Sequence, residues 1–452
     1  NRGMNNNILH TIFFDENIHW DQFSKKIKLK IRPVVFREVE KFRYCGDISK
    51  GFRLFVCEGC HAVKKVPIRC KGKFCPTCSV GESERWSEIV SQDMFHTTHR
   101  HIVFTIDEGL RNIFLKYHRE ILLKGLMDEA AQVILDYFKK QKIRPGIILT
   151  LHTFGSKLEF NPHVHMIVTM GGLTKGGEWK DYDYIPYKML RINWQNAVLK
   201  LIRRVLSPKE KKEVQPQLQT AYTKNAEGFY VNAPKRSRTN VKRVLQYISR
   251  YMKRGPIALK RILMYDGDIV MFRYHDKRTD TDETEIMLAK EFIAALVRHI
   301  PDKNFKMIRR YGLYSRKLKT VAKEVVKEIQ SKIKRLLLNV STAMKPKKWA
   351  ERIAECFGEN PLKCSGCGNL YVFRGIVLSK NERLIIQYAN DSEARRYLRE
   401  EIRYIESKEF KINQKQAEKE TYEATRFDWE KQRQLYMSSM RNQGIDSEGS
   451  RG

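Results

Sequence analysis

The sequence predicts an α+β fold with a cysteine-rich metal module near the N-terminus and a helical C-terminal region. Three observations carry this. β-branched and aromatic runs alternate with segments of helical period without a regular β-α-β beat, which favours antiparallel sheet flanked by helices over a doubly wound sheet. Six of the nine cysteines fall between Cys45 and Cys78. At 452 residues and 42% hydrophobic content, the chain is too long for one ordinary core yet apolar enough to build two or three.

The elements follow in order. Residues 1–43 are polar and basic with helical periodicity at Trp20, Phe23, Ile27 and Ile31. The cysteine module runs to about Trp86. HIVFTID (101–107) is a strand, and Leu110 to Lys140 has helical spacing closed by Arg144-Pro145-Gly146. IILTLHTFG (147–155) and HVHMIVTM (163–170) are strands joined as a hairpin. A helix near 187–206 precedes a charged linker, SPKEKKEVQPQ, and a short strand, GFYVNAP. NVKRVLQYISRYMKRGP (240–256) has an Asn cap, a helical period and a Gly-Pro stop. RILMYDGDIVMFRYHD turns at Asp266-Gly267, helical runs at 285–299 and 316–337 bracket the strand MIRRYGLYS, and the chain beyond about Ser392 is charged and helix-prone. The expected division is 1–95, an N-terminal helical and zinc-binding domain; 96–315, a catalytic domain; 316–391, a helical segment with a second Cys pair; and 392–452, a charged tail, helix-prone or disordered.

The charge balance narrows the partners. Eighty-six basic residues against 52 acidic ones give +34. Self-repulsion on that scale opposes compaction unless a polyanion offsets it, and nucleic acid fits best, with binding that weakens steeply in salt. No apolar run approaches the ~20 residues a bilayer span needs, so no membrane partner is expected. The start shows no signal-peptide pattern, and unpaired cysteines in a reducing compartment hold metal. A bacterial cytosol, with the protein on the nucleoid, is the expected location.

Cys57-x2-Cys60 and Cys75-x2-Cys78 stand 14 residues apart, and two such pairs supply the four thiolates of a structural zinc. Cys45, Cys70 and the pair Cys364-x2-Cys367 remain; taken singly, Cys45 and Cys356 read as plain buried thiols, while Cys45, Cys70, Cys364 and Cys367 together offer a second zinc that ties distant parts of the chain together.

In NPHVHMIV, His163 and His165 project from one face of a strand while Val164 turns to the core. Two adjacent imidazoles chelate a divalent cation, though one His-x-His among 12 histidines is weak by itself. His152 in the preceding strand is the expected third ligand, with Glu159 and Gln246 as alternatives. His99-Arg100-His101 repeats the spacing and reads as a polar strand entry. Tyr247 and Tyr251 lie one helical turn apart among Gln246, Arg250, Lys253 and Arg254, a phosphate-facing setting that Lys235 and Arg236 extend. A metal beside a phosphodiester and a tyrosine nucleophile make a coherent strand-transfer chemistry.

His-hydrophobic-His in a strand followed by a helix with Tyr-x3-Tyr resembles the HUH endonucleases. YCGDISKGFRLFVCEGC, VPIRCKGKFCPTC, LTLHTFGSKLEFNPHVHMIVTMGG and LQYISRYMKRGP are similar to segments of the rolling-circle IS ninety-one insertion-sequence transposases, over roughly residues 20–375. The resemblance implies an antiparallel HUH sheet, Mg2+ or Mn2+ on His163 and His165, nucleophiles Tyr247 and Tyr251, a 5′-phosphotyrosine intermediate, and single-stranded DNA of transposon ends as partner. Two other readings remain: an HUH replication initiator or relaxase with the same chemistry, and a non-enzymatic zinc-finger DNA-binding protein.

Overall fold

The computed structural model describes residues 7–28, 31–72, 74–79, 86, 94–95, 97–182, 184–233, 255–276, 279–316, 318, 360–381, 383–407, 410–416 and 420. The chain folds as two compact units, each assembled from separated stretches: Asn1–Cys78, Ala258–Ile293 and Ala343–Gly452 in one, Ser79–Ile257 and Ala294–Thr342 in the other. These boundaries differ from the expected 1–95, 96–315, 316–391 and 392–452. The difference has a physical cause: long-range strand pairing draws residues after 360 back onto the cysteine module.

Elements are numbered along the whole chain. In the first unit, three helices lead: α1 (Ile8–Phe14), α2 (His19–Lys26) and α3 (Pro33–Arg43). Phe13, Phe42 and Phe74 pack edge to face at 5.3–5.9 Å between centroids, a geometry the ring quadrupoles favour. A four-stranded antiparallel sheet then runs β14 (Arg383–Ala389), β13 (Tyr371–Lys380), β1 (Gly51–Cys57), β2 (Val63–Pro67). One of its faces is closed by α9 (Ser392–Glu406), whose Leu398 and Ile405 bury against Phe52, Leu54, Val56 and Val377. The Asp391 carboxylate caps α9 by accepting the Ala394 N–H at 2.7 Å. A second sheet, β11-β10-β9, contains the hairpin that turns at Gly267 (φ +109°): β9 is Ile262–Tyr265, β10 Ile269–Asp276 and β11 Thr281–Leu288.

The second unit is built on a five-stranded antiparallel sheet of order β12-β4-β5-β3-β8, namely Ile308–Gly312, Gly146–Phe154, Phe160–Thr169, His99–Thr105 and Val231–Asn232. The small pair β6 (Gly171–Leu173) and β7 (Trp179–Asp181) follows β5. Four helices, α4 (Arg111–Lys116), α5 (Arg119–Lys140), α6 (Tyr187–Val205) and α7 (Pro208–Lys224), carry the main core against one sheet face, where Phe104, Leu149, Leu151, Val164 and Met166 are wholly buried. On the opposite face, Ile148 and Ile167 pack under Phe95 and Tyr314 at one end, and histidines occupy the other.

Several expectations are corrected. SPKEKKEVQPQ is no linker: Ser207 and Glu210 form a reciprocal capping box with Pro208 at the first helical position, and that start carries α7 through Lys224. The helix expected over 110–140 breaks at His118, which takes a left-handed conformation between α4 and α5. The run expected as helix over 285–299 begins as the end of β11 and becomes helical only at α8 (Ala289–Val297). Within 316–391, residues 371–389 form the β13–β14 hairpin, because alternate residues such as Val377 and Leu384 face the α9 side.

Candidate functional site

The β4–β5 hairpin places three imidazoles at one end of the second unit's sheet. His152 lies directly across from His163, and Thr150 across from His165, so the period-two alternation sends all three rings to the face opposite the helices. Val164, between the two β5 histidines, is fully buried on the helix side. One ring nitrogen from each of His152, His163 and His165 lies within 4.8 Å of the others. His152 and His165 are buried, whereas His163 is half-buried at the open rim.

Hydrogen bonds orient these rings. The His163 Nδ1–H donates to the Asn161 carbonyl at 2.7 Å, which leaves Nε2 as the lone-pair nitrogen. His165 Nδ1 lies 3.0 Å from Nε2 of His101, with the two rings stacked at 5.2 Å. A His165 ring that offers Nε2 to a cation therefore donates its Nδ1–H to His101. His101 is thus more than the polar strand entry expected of it: pairing across from Ile167, one strand over, it supports His165, and that register has no local signal in the sequence. Three imidazoles converging on one strand face form a donor set suited to a divalent cation. Of the alternatives for the third ligand, Glu159 instead closes the β4–β5 turn by accepting the Lys157 N–H at 3.0 Å.

Tyr247, Tyr251, Gln246, Arg250, Lys253, Arg254, Lys235, Arg236 and Cys356 lie outside the described residues.

Eight cysteines form two tetrads in the first unit, and their grouping corrects the expected one. Cys45, Cys70, Cys75 and Cys78 make one, and Cys57, Cys60, Cys364 and Cys367 the other. In the first, Cys45 Sγ lies 3.7 Å from Cys75 and 3.5 Å from Cys78, and Cys70 lies 3.6 Å from Cys78. In the second, Cys57 to Cys367 is 3.3 Å and Cys60 to Cys364 is 3.6 Å. Four sulfurs at ~2.3 Å from a tetrahedral zinc stand about 3.8 Å apart, so these spacings fit zinc and are far too long for disulfides. The two C-x2-C pairs near the N-terminus do not share a metal because β1 pairs with β13, Cys57 opposite Tyr371, which brings the knuckle leaving β1 to the knuckle entering β13. Cys45 and Cys70 meet because Gly46 N–H donates to the Ile68 carbonyl, closing the end of α3 onto the exit of β2.

Two family models match the chain. One, described as a transposase zinc-binding domain, covers residues 16–106, and the other, a putative transposase, covers 146–322. The transposase for insertion sequence element IS801 from Pseudomonas savastanoi pv. phaseolicola is 26% identical over 363 residues, spanning 77% of this chain and 85% of that protein. Over these segments the chain is similar to transposases of the IS ninety-one family. A putative transposase from Sinorhizobium fredii is 23% identical over 350 residues, 73% of this chain and 86% of its own. A solved nuclease domain, that of non-structural protein-1 of minute virus of mice, matches 55% of this chain and 98% of itself at 11% identity and a TM-score of 0.21, too distant to carry an argument. The transposase match contains the whole His152–His165 hairpin, and the zinc-binding match contains six of the eight clustered cysteines. Cys364 and Cys367 lie beyond both. The transposase is a DNA-processing enzyme with zinc-binding cysteines. No helix among the described residues is long and apolar enough to cross a membrane.

Proposed function

We propose that this transposase nicks and rejoins single-stranded DNA at the ends of its element by rolling-circle transfer. The observation that supports this best is the convergence of His152, His163 and His165 on one point of an antiparallel sheet within the transposase match. His152, His163 and His165 would hold Mg2+ or Mn2+, which when bound polarises a scissile phosphodiester and offsets charge on its non-bridging oxygens.

The protein's own groups would supply the rest. The phenol oxygen of Tyr247 or Tyr251 attacks phosphorus, a P–O bond to tyrosine forms, and the bond to the 3′-oxygen breaks. The products are a 5′-phosphotyrosine and a 3′-oxygen that takes up a proton. Because the phosphoester is conserved, the reverse attack by a 3′-hydroxyl rejoins strands with no nucleotide cofactor. Arg250, Lys253, Arg254, Lys235 and Arg236 would contact the phosphates and keep the attacking phenol, of ordinary pKa ~10, in a positive field.

The test is a denaturing gel of full-length protein incubated with Mn2+ and single-stranded oligonucleotides from the element's ends. The expected result is a covalent protein–DNA band that the Tyr247→Phe/Tyr251→Phe double variant abolishes. No band with either strand of either end would overturn the proposal.

A further inference from the structure

The four-stranded sheet of the first unit has one face that α9 does not cover. Alternation fixes which residues lie there. Phe52, Leu54 and Val377 point to the α9 side, so Arg53 and Phe55 on β1, with their cross-strand neighbours Lys64, Phe373 and Ile376, point away. Register carries the same face across to Tyr388 and Ile385 on β14.

This face is aromatic, with Phe55 and Phe373 half-buried and Tyr388 exposed. Phe55 and Phe373 meet edge to face at 5.6 Å, and Phe373 stacks nearly parallel with Tyr388, 6° between planes at 6.0 Å. Tyr388 is 53% exposed and Ile385 40%. Three rings spread over three adjacent strands cost free energy in water unless a partner covers them.

Charge identifies the partner. The four strands contain no aspartate or glutamate, and the open face carries Arg53, Lys64 and Arg383. A second apolar protein surface needs no such one-signed field, whereas a nucleic-acid strand needs both features: π-faces for its bases and cations for its phosphates. A flat sheet with solvent-facing rings suits unpaired bases, since the bases of a duplex have their faces already stacked.

We propose that the open face of the β14-β13-β1-β2 sheet binds single-stranded DNA, with bases stacking on Phe55, Phe373 and Tyr388 and the backbone running past Arg53 and Lys64. This rests on the reading that the transposase handles single strands, but it concerns binding and is separable from cleavage.

The experiment is fluorescence anisotropy of a labelled oligothymidylate of about 20 nucleotides titrated with full-length protein without added Mn2+ or Mg2+. Removing one stacking ring should weaken binding roughly five-fold or more. Tyr388→Ala, at an exposed position, is expected to show that loss; Tyr388→Phe, which keeps the ring, is expected to bind as the parent does. Phe373→Leu keeps a bulky apolar side chain at this half-buried position and should also lose affinity, with unchanged zinc content certifying the fold. Parent-like affinity in both Tyr388→Ala and Phe373→Leu would overturn the proposal, and so would a change in oligomeric state without a change in DNA affinity. If these variants bind weakly while no covalent product ever forms with Mn2+, the platform stands and the strand-transfer reading falls. If the product forms and binding is unaffected, the reverse holds.

Discussion

His101 and His165 occupy adjacent strands on the same sheet face, and the 3.0 Å contact between them joins a candidate ligand to a residue too far along β3 to be one itself. Partners of this kind fix the tautomer and orientation of a metal-bound imidazole, and losing one typically costs about 10–100-fold in metal affinity. His101→Ala should therefore weaken Mn2+ binding, measured by calorimetry, by about that factor. His101→Gln, whose side-chain oxygen can accept the Nδ1–H, should recover part of it. Equal affinities in all three proteins would show that the contact is incidental. His99, two residues away, has a different task. Its Nδ1–H donates to the Thr97 carbonyl at 2.8 Å, and its Nε2 accepts from the Tyr314 hydroxyl at 2.8 Å, so the ring sits neutral. Desolvation pushes its pKa down to about 4, against ~6.5 for an exposed histidine. Between those values the unfolded chain binds more protons than the folded one, so stability rises with pH across that window. The fold should lose stability as pH falls from about 6.5 towards 4, and thermal unfolding of a His99→Gln variant should show a shallower fall. An unchanged slope would remove His99 from the account.

At the level of elements, the β1–β13 pairing decides how zinc is shared. The two tetrads make a prediction that separates them from the expected grouping. Cys57 and Cys364 belong to one site here, so the Cys57→Ser/Cys364→Ser protein should retain one zinc per chain where the parent holds two, and its unit should unfold at a lower temperature because structural zinc contributes folding free energy. Had Cys57 and Cys60 shared a metal with Cys75 and Cys78, that double change would strike both sites. Metal analysis of the purified proteins distinguishes the two. The residue types and the C-x2-C spacings were legible in the sequence, but their partition was not. It depends on a strand register that joins residues more than 300 positions apart, which no local spacing encodes. Local chemistry was legible where it was closed within a few residues: the Asp266-Gly267 hairpin and the paired β4 and β5 strands follow from their own turn residues and alternation. The Ser207–Glu210 box is equally local, but the dense charge of the segment masks its capping pattern.

For the whole molecule, the fold class and the transposase family could be read from the motifs, since hairpin, cysteine module and basic balance all point to DNA processing. The division into units could not. Each unit draws on separated stretches of chain: the segment after 360 joins the cysteine module through β1–β13 pairing, and residues 258–293 meet the N-terminal helical segment through contacts such as Tyr265 with Asp15, neither of which leaves a boundary signal in composition. The +34 balance belongs to this scale too, because it describes the partner of the entire chain and no particular site. The central proposal at this scale is that His152, His163 and His165 on β4 and β5 hold a divalent cation. The most direct measurement is a crystal of the protein grown with Mn2+ and examined by anomalous scattering at the manganese edge. A peak within about 2.4 Å of one nitrogen from each of His152, His163 and His165 is the predicted result. A peak elsewhere, or none at this triad at saturating Mn2+, would contradict it.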